Sequence, residues 1–347
     1  MMGNSIVRSE TFRAADYGLF AALTLGIFVV CVAVGSVNVP LGHTAGALWN
    51  AVAGQPQAEG TAASIILTSR LPRVICVALV GASLSIGGGA MQGLLKNPLA
   101  DGTTLGVSNG AALGAVFAMT FGIAIPGVPF AGTMVMAILF AFLSLIIILS
   151  LAYRLDYSLS TNTIILLGVI YSMFVASIVS LLTTFAGDKV RSITFWLMGS
   201  LAGTSYADAA VLAVTALVCG IILLKCAREL NAFAIGEDNA RHVGVDVRRV
   251  RLVVLITVSA LIGVCVSVGG TIGFVGLVTP HMVRMVVGPN HKRLLPGVMF
   301  GGACFLMLAD LIARTILSPR ELPIGVVTSL IGAVVFLAIF FRMRKGR

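Results

Sequence analysis

Apolar residues run through this chain in ten long blocks, not in the alternating or heptad patterns of soluble folds. A helix needs about 20 apolar residues to cross a hydrocarbon core. Blocks near Tyr17–Val37, Val74–Leu95, Thr104–Ile125, Phe130–Tyr153, Thr161–Phe185, Ala207–Cys226, Leu252–Gly269, Phe274–Val287, Leu294–Ile316 and Ile324–Phe341 therefore predict ten membrane helices, the eighth unusually short. The blocks are continuous, which excludes a transmembrane β-barrel with its period of two. A polar, basic interruption from Ala227 to Leu252 separates the sixth block from the seventh. The expected fold is an all-α polytopic membrane protein. It is one transmembrane domain over 1–347, with 1–16 as an N-terminal segment and 227–251 as a solvent-facing loop.

Composition sharpens the class. The 347 residues are 58% hydrophobic and 10% charged, whereas soluble domains carry about 25% charged residues. The net charge of +10 sits in short loops between apolar blocks, without a clustered basic face or stacking aromatics, so no nucleic-acid partner is expected. Ten crossings put both termini on one side. Seventeen of the 23 Lys and Arg residues then fall on that side and the remaining six on the other, and the positive-inside rule makes both termini cytoplasmic. The first block follows Arg8 and Arg13 but is too long for a secretory signal and lacks a cleavage site, so it reads as a retained helix. The six cysteines have no CxxC spacing and read as small apolar residues.

Inside the blocks, 39 glycines, among them Gly106, Gly110 and Gly114 at four-residue spacing and Gly81 near Ser85, predict close helix packing. The run from Gly269 to Gly276, at the turn into the short eighth block, predicts a broken helix beside a cavity or a subunit contact. Pro280 bends or starts that helix. Intramembrane charge is nearly missing. Asp310 and Arg314 are four residues apart and able to pair, and Arg284 ends the eighth block. That scarcity argues against an ion-coupled secondary transporter of a small organic solute, the alternative reading. The four histidines make no metal-ligand spacing, and no GxxxxGK[ST] phosphate loop occurs, so the chain has no nucleotide motor of that kind.

The interruption carries Leu230, Phe233, Ala234, Ala240, Val243 and Val247 at roughly helical spacing, with Gly236 and Gly244 punctuating two short helices. An apolar stripe in a polar loop reads as a docking element for a partner.

Long motifs in order then identify a resemblance. Arg70-Leu-Pro-Arg73, Gly89-Ala-Met-Gln-Gly-Leu-Leu-Lys-Asn97-Pro-Leu-Ala-Asp101, Leu105-Gly-Val-Ser-Asn-Gly-Ala111, Phe195-Trp-Leu-Met-Gly-Ser-Leu201, the interruption itself, Gly273-Phe-Val-Gly-Leu-Val-Thr-Pro-His281 and Glu321-Leu-Pro-Ile-Gly-Val-Val327 resemble the permease subunits of type II ABC importers for iron chelates, heme and vitamin B12. The departure is Gly102-Thr-Thr where that family often has Pro-Gly or Pro-Asp, which implies a changed loop shape.

The resemblance implies a homodimer, or a pair with a paralogous permease, in the bacterial cytoplasmic membrane. Two cytoplasmic ABC ATPases would use ATP and Mg, an extracytoplasmic binding protein would deliver cargo, and no cofactor would bind this chain directly. It places Glu229, Leu230, Phe233, Gly236, Ala240 and Gly244 in the coupling helices that meet the ATPases. Arg70, Arg73 and Arg314 would be outward-facing arginines that meet the binding protein, where exposed charge steers an acidic partner. Asn97, Leu99, Thr161 and Asn162 would close the cytoplasmic end, small polar groups around one apolar plug. By helical phase Ser108, Asn109, Met173 and Ser177 face cargo. The expected function is an ATP-driven importer subunit for a ferric siderophore first, heme or cobalamin next. A passive channel is disfavoured by the docking-type loop.

Overall fold

The computed structural model describes residues 11–37, 39–55, 61–102, 105–126, 131–157 and 160–345. The first ten residues of the expected N-terminal segment, and Thr103 and Thr104 of the departing loop, lie outside the described residues. The helices are α1 (Ala14–Ala33), α2 (Leu41–Ala53), α3 (Thr61–Ser64), α4 (Leu71–Leu94), α5 (Val107–Phe121), α6 (Ala131–Leu155), α7 (Thr161–Thr184), α8 (Val190–Leu197), α9 (Tyr206–Lys225), α10 (Ala227–Ile235), α11 (Glu237–His242), α12 (Val247–Gly269), α13 (Val275–Val287), α14 (His291–Thr315) and α15 (Ile324–Lys345). A π-helical turn over Ile65–Arg70 fuses α3 to α4.

Among the described residues seven helices are long and apolar enough to cross a membrane, and α5, α13 and the apolar part of α15 are shorter apolar helices. Together they coincide with the ten blocks read from sequence. At about 1.5 Å per residue, the 13 residues of α13 reach about 20 Å, short of the roughly 30 Å of hydrocarbon. The fourth, twelfth and fourteenth helices form the centre; α1 and α7 leave most of their apolar surface uncovered.

Small residues bring the central helices together. A Cβ on Gly81 would overlap the Gly302 carbonyl of α14, one on Gly88 would overlap the Gly276 carbonyl of α13, and ones on Gly110 and Gly114 would overlap Ser144 and the Met136 carbonyl of α6. Where lipid tails are as apolar as leucine, such close backbone approach supplies the packing energy that water would otherwise drive.

Helix α9 begins on a capping box. Ser205 N–H donates to Asp208 Oδ2 at 2.8 Å, and Asp208 N–H donates back to Ser205 Oγ at 3.3 Å. Ser205→Ala is expected to lower stability by about 1 kcal/mol, read as a drop in the thermal midpoint of the detergent-solubilised protein, with Ser205→Thr recovering most of it.

Candidate functional site

Three zones along the bundle carry the residues singled out from sequence. The first lies where α1 and α14 end and α4 begins. The last carbonyls of α1 have no intrahelical donors, and Arg70 fills them. Its guanidinium donates to Ala33 O at 2.8 Å, to Val32 O at 3.3 Å and to Val37 O, while Arg314 donates to Cys31 O at 3.0 Å. Arg73 donates through Nε and Nη2 to Asp310 Oδ1 at 3.1 and 2.9 Å and through Nη1 to Glu321 Oε2 at 2.6 Å. Arg314 Nε stands 2.9 Å from Asp310 Oδ2, so the pair foreseen one helical turn apart does form, inside a larger network.

This corrects the expectation of outward-facing charge. Arg70, Arg73 and Arg314 are 5, 8 and 2% exposed, because helix-end carbonyls and the carboxylates of Asp310 and Glu321 draw them inward. Three guanidiniums against two carboxylates leave the cluster one positive charge in excess. They border a cavity of about 200 Å³ with Ser36, Ser69 and Glu321.

The second zone is the broken helix. Ser200 N–H donates to Gly269 O at 2.8 Å and Thr271 Oγ1 donates to Leu197 O, so the segment between α12 and α13 is held to the end of α8. Gly270, at φ 68°, backs directly onto the Trp196 carbonyl, where a side chain would collide. Ser108, Asn109, Thr271 and Ser329 line a cavity of about 500 Å³ here, with Met198, Ile272 and Leu330 as its apolar wall. Its lining carries hydroxyls and an amide but no charge. Ser108 and Asn109 line this open space, while Met173 and Ser177 lie exposed on α7 with Ser177 bonded back to Met173 O.

The third zone is the basic loop. It forms two short helices broken at Gly236, as the glycine spacing foretold. The stripe, however, is turned inward. Leu230, Phe233, Ala240 and Val247 are buried in the same core as Leu94, Leu294 and Leu295, so Leu230, Phe233 and Ala240 seat the loop on its own bundle and cannot form the face offered to a partner. The apolar groups left outside are Ala234, Ile235 and Val243. Gly244, at φ 87°, is exposed, Gly236 is half-buried, and Glu229 is half-buried with Oε2 enclosed. Arg251 holds α11 to α12 through Glu237 at 2.5 Å. Arg248 lies over Tyr153 and Tyr157 at 5.3 and 5.2 Å from their ring centres, tying the loop to the segment before α7.

Asn97 and Leu99 occupy a tight turn after α4. Asn97 Oδ1 accepts Leu99 N–H at 2.9 Å, Asn97 O accepts Ala100 N–H at 3.1 Å, and Leu99 stands exposed at the tip. Thr161 and Asn162 open α7. Asp156 braces that start by accepting Ser160 N–H at 3.1 Å; Asn162 is exposed, and Thr161 Oγ1 is enclosed without a partner. The links from Arg73 to Asp310 and Glu321, the π-helical turn and the Tyr153–Arg248–Tyr157 stack are features the sequence reading missed. The ion pairs and the stack join residues far apart in the chain; Arg73, Asp310 and Arg314 had drawn notice, but only the local pair of Asp310 with Arg314 was foreseen.

A helical membrane bundle with a broken helix beside an uncharged cavity, and a two-helix loop seated at one end, defines a transport permease. The chain matches the FecCD transport family over residues 23–342 and belongs to that family; it is an ABC transporter permease of the importer type. It is 40% identical to the uncharacterized ABC transporter permease protein YvrB of Bacillus subtilis, over 98% of this chain and 96% of that one. It is 40% identical to the cobalamin import system permease protein BtuC of Halobacterium salinarum, over 80% and 73%, and 37% identical to the hemin transport system permease protein HmuU of Yersinia pestis, over 92% and 95%. A solved structure described as a metal-chelate type ABC transporter in an inward-facing conformation superposes with a TM-score of 0.83 at 32% identity, covering 95% of this chain and all of that one.

Proposed function

We propose that this chain is the membrane subunit of an ATP-driven importer of an iron chelate, with a ferric siderophore the first candidate and heme or cobalamin next. In this reading two copies, or one copy and a paralogous permease, form the pathway in the bacterial cytoplasmic membrane with both termini cytoplasmic. Two ABC ATPases on that side use ATP and Mg, and this chain binds no cofactor itself. The observation that carries the reading is the seated loop: α10 and α11 are locked to the bundle on one face and present Ala234, Ile235 and Val243 on the other. A rigid element with a small apolar outer face suits the cleft of a moving partner. Relatives named for hemin and cobalamin, and a neighbour named for metal chelates, support a bulky chelate as cargo.

Asn97, Leu99, Thr161 and Asn162 close the cytoplasmic end in this reading, with the exposed Leu99 as plug. The face above Arg70, Arg73 and Arg314 receives the extracytoplasmic binding protein. An incoming carboxylate there would enter the small cavity and compete with Glu321 for Arg73, so docking exchanges one ion pair for another.

The test is reconstitution in liposomes with the cognate ATPase and binding protein, offering hemin, cobalamin and a ferric siderophore in turn. One of them should accumulate only with ATP, and the chain alone should accumulate none. Accumulation driven by an ion gradient without the ATPase would overturn the reading in favour of a secondary transporter.

A further inference from the structure

A half-buried amide and a buried histidine join α10 to the helix that leads into the Asn97–Leu99 turn. Asn231, on α10, accepts two bonds at its Oδ1, from the backbone N–H of His291 at 2.8 Å and from His291 Nδ1 at 2.9 Å. Its Nδ2 donates to Asn290 Oδ1 at 2.8 Å, the same oxygen that caps α14 by accepting Lys292 N–H at 3.0 Å. Because an amide oxygen only accepts, the proton of the neutral ring sits on Nδ1. Nε2 then points away from α10, buried and without a partner, at Gly93 in the last turn of α4. The fit is so close that a Cβ at position 93 would overlap the ring.

The other side of that turn is pinned. Gln92 Nε2 donates to Leu277 O of α13 at 3.1 Å, and Gln92 Oε1 accepts from Arg284 at 3.1 Å. One turn earlier, Gly88 lies against the Gly276 carbonyl. Beyond Gly93 the chain passes through Leu95 and Lys96, at φ 48°, straight into the self-bonded Asn97–Ala100 turn. Gly93 and Leu99 are thus joined by a short stretch that ends in a self-bonded turn.

We propose that the His291 ring, held by Asn231, is a positioning residue that carries displacement of α10 to Gly93 and thence to the Asn97–Leu99 turn. This rests on the importer reading above, in which α10 meets the ATPase. Close-packed groups transmit displacement because they have no room to absorb it. The ring touches neither the cavity nor the outer face of the loop, so its removal should separate gate motion from nucleotide hydrolysis.

The test uses the assembled transporter in lipid nanodiscs, with Leu99→Cys spin-labelled on both copies and the 99–99 distance measured by pulsed EPR with and without ATP. The unmodified background should hydrolyse ATP and show a nucleotide-dependent shift. His291→Ala should keep hydrolysis within about twofold and lose at least half of the shift. His291→Asn keeps a donor toward Asn231, and so the fold, yet has no ring edge on Gly93; it should lose the shift equally. A full shift in His291→Asn overturns the relay, as does hydrolysis falling in step with the shift, which would make the histidine a support for ATPase seating. A background that hydrolyses without shifting also removes the relay. An assembled transporter without the label at position 99 that hydrolyses no ATP defeats the importer reading itself.

Discussion

Arg73→Ala is expected to cost about 3–5 kcal/mol of stability, the range for removing one partner of a buried ion pair and leaving the other uncompensated. Arg73 is the only guanidinium joined to both carboxylates of its cluster, at 2.9 Å to Asp310 and 2.6 Å to Glu321. Arg314 still faces Asp310 after the substitution, at 2.9 Å, but from the same helix, and among the described residues no ion pair then bridges α4 to α14 and the segment before α15. Glu321 is partly solvated and contributes less than Asp310, which is 1% exposed. The measurement is monodisperse yield and thermal midpoint in detergent. Arg73→Ala combined with Asp310→Asn should recover part of the loss, because the stranded charge is gone. Full stability in Arg73→Ala alone would show that the cluster is open to water, and that these arginines are free to meet a partner directly.

Gly88→Ala, on the same helix, should also be damaging, while its neighbour Gly87→Ala is mild. A Cβ on Gly88 would sit inside the Gly276 carbonyl, and backbone cannot rotate aside as a side chain does. Overpacking of this kind costs typically 1–3 kcal/mol and occasionally more. Here it would also part α4 from α13 at the point where the broken helix begins. A Cβ on Gly87 meets only Val258 Cγ1, at 3.4 Å, an ordinary contact. Parallel yields and melting curves of the two variants decide the matter. Equal behaviour would mean that α4 and α13 lie further apart than their glycines indicate.

Helix positions were legible because hydrocarbon imposes a length and an apolarity that few other environments demand. The break at Gly236 was legible for a local reason too: at φ 123° it holds a conformation that side chains resist. What escaped was direction. The stripe of Leu230, Phe233 and Ala240 has the same spacing whether it faces a partner or its own bundle, so periodicity alone chose the wrong side. The arginines misled for a related reason. Arg70 and Arg73 looked exposed beside an apolar block, because their partners, the α1 carbonyls and Asp310, lie 37 to 38 and 237 residues away. Helices α2 and α8 escaped as well, being too short and too mixed in polarity to register as apolar blocks.

The chamber between α5, α8 and α15 offers a traveller hydroxyls, an amide and aliphatic wall, with nothing ionic to grip it. Such a surface has no deep energy well in which cargo would stall. Under the importer reading proposed above, a corridor of that kind would pass chemically distant passengers of similar bulk at similar speed and leave discrimination to the protein that delivers them.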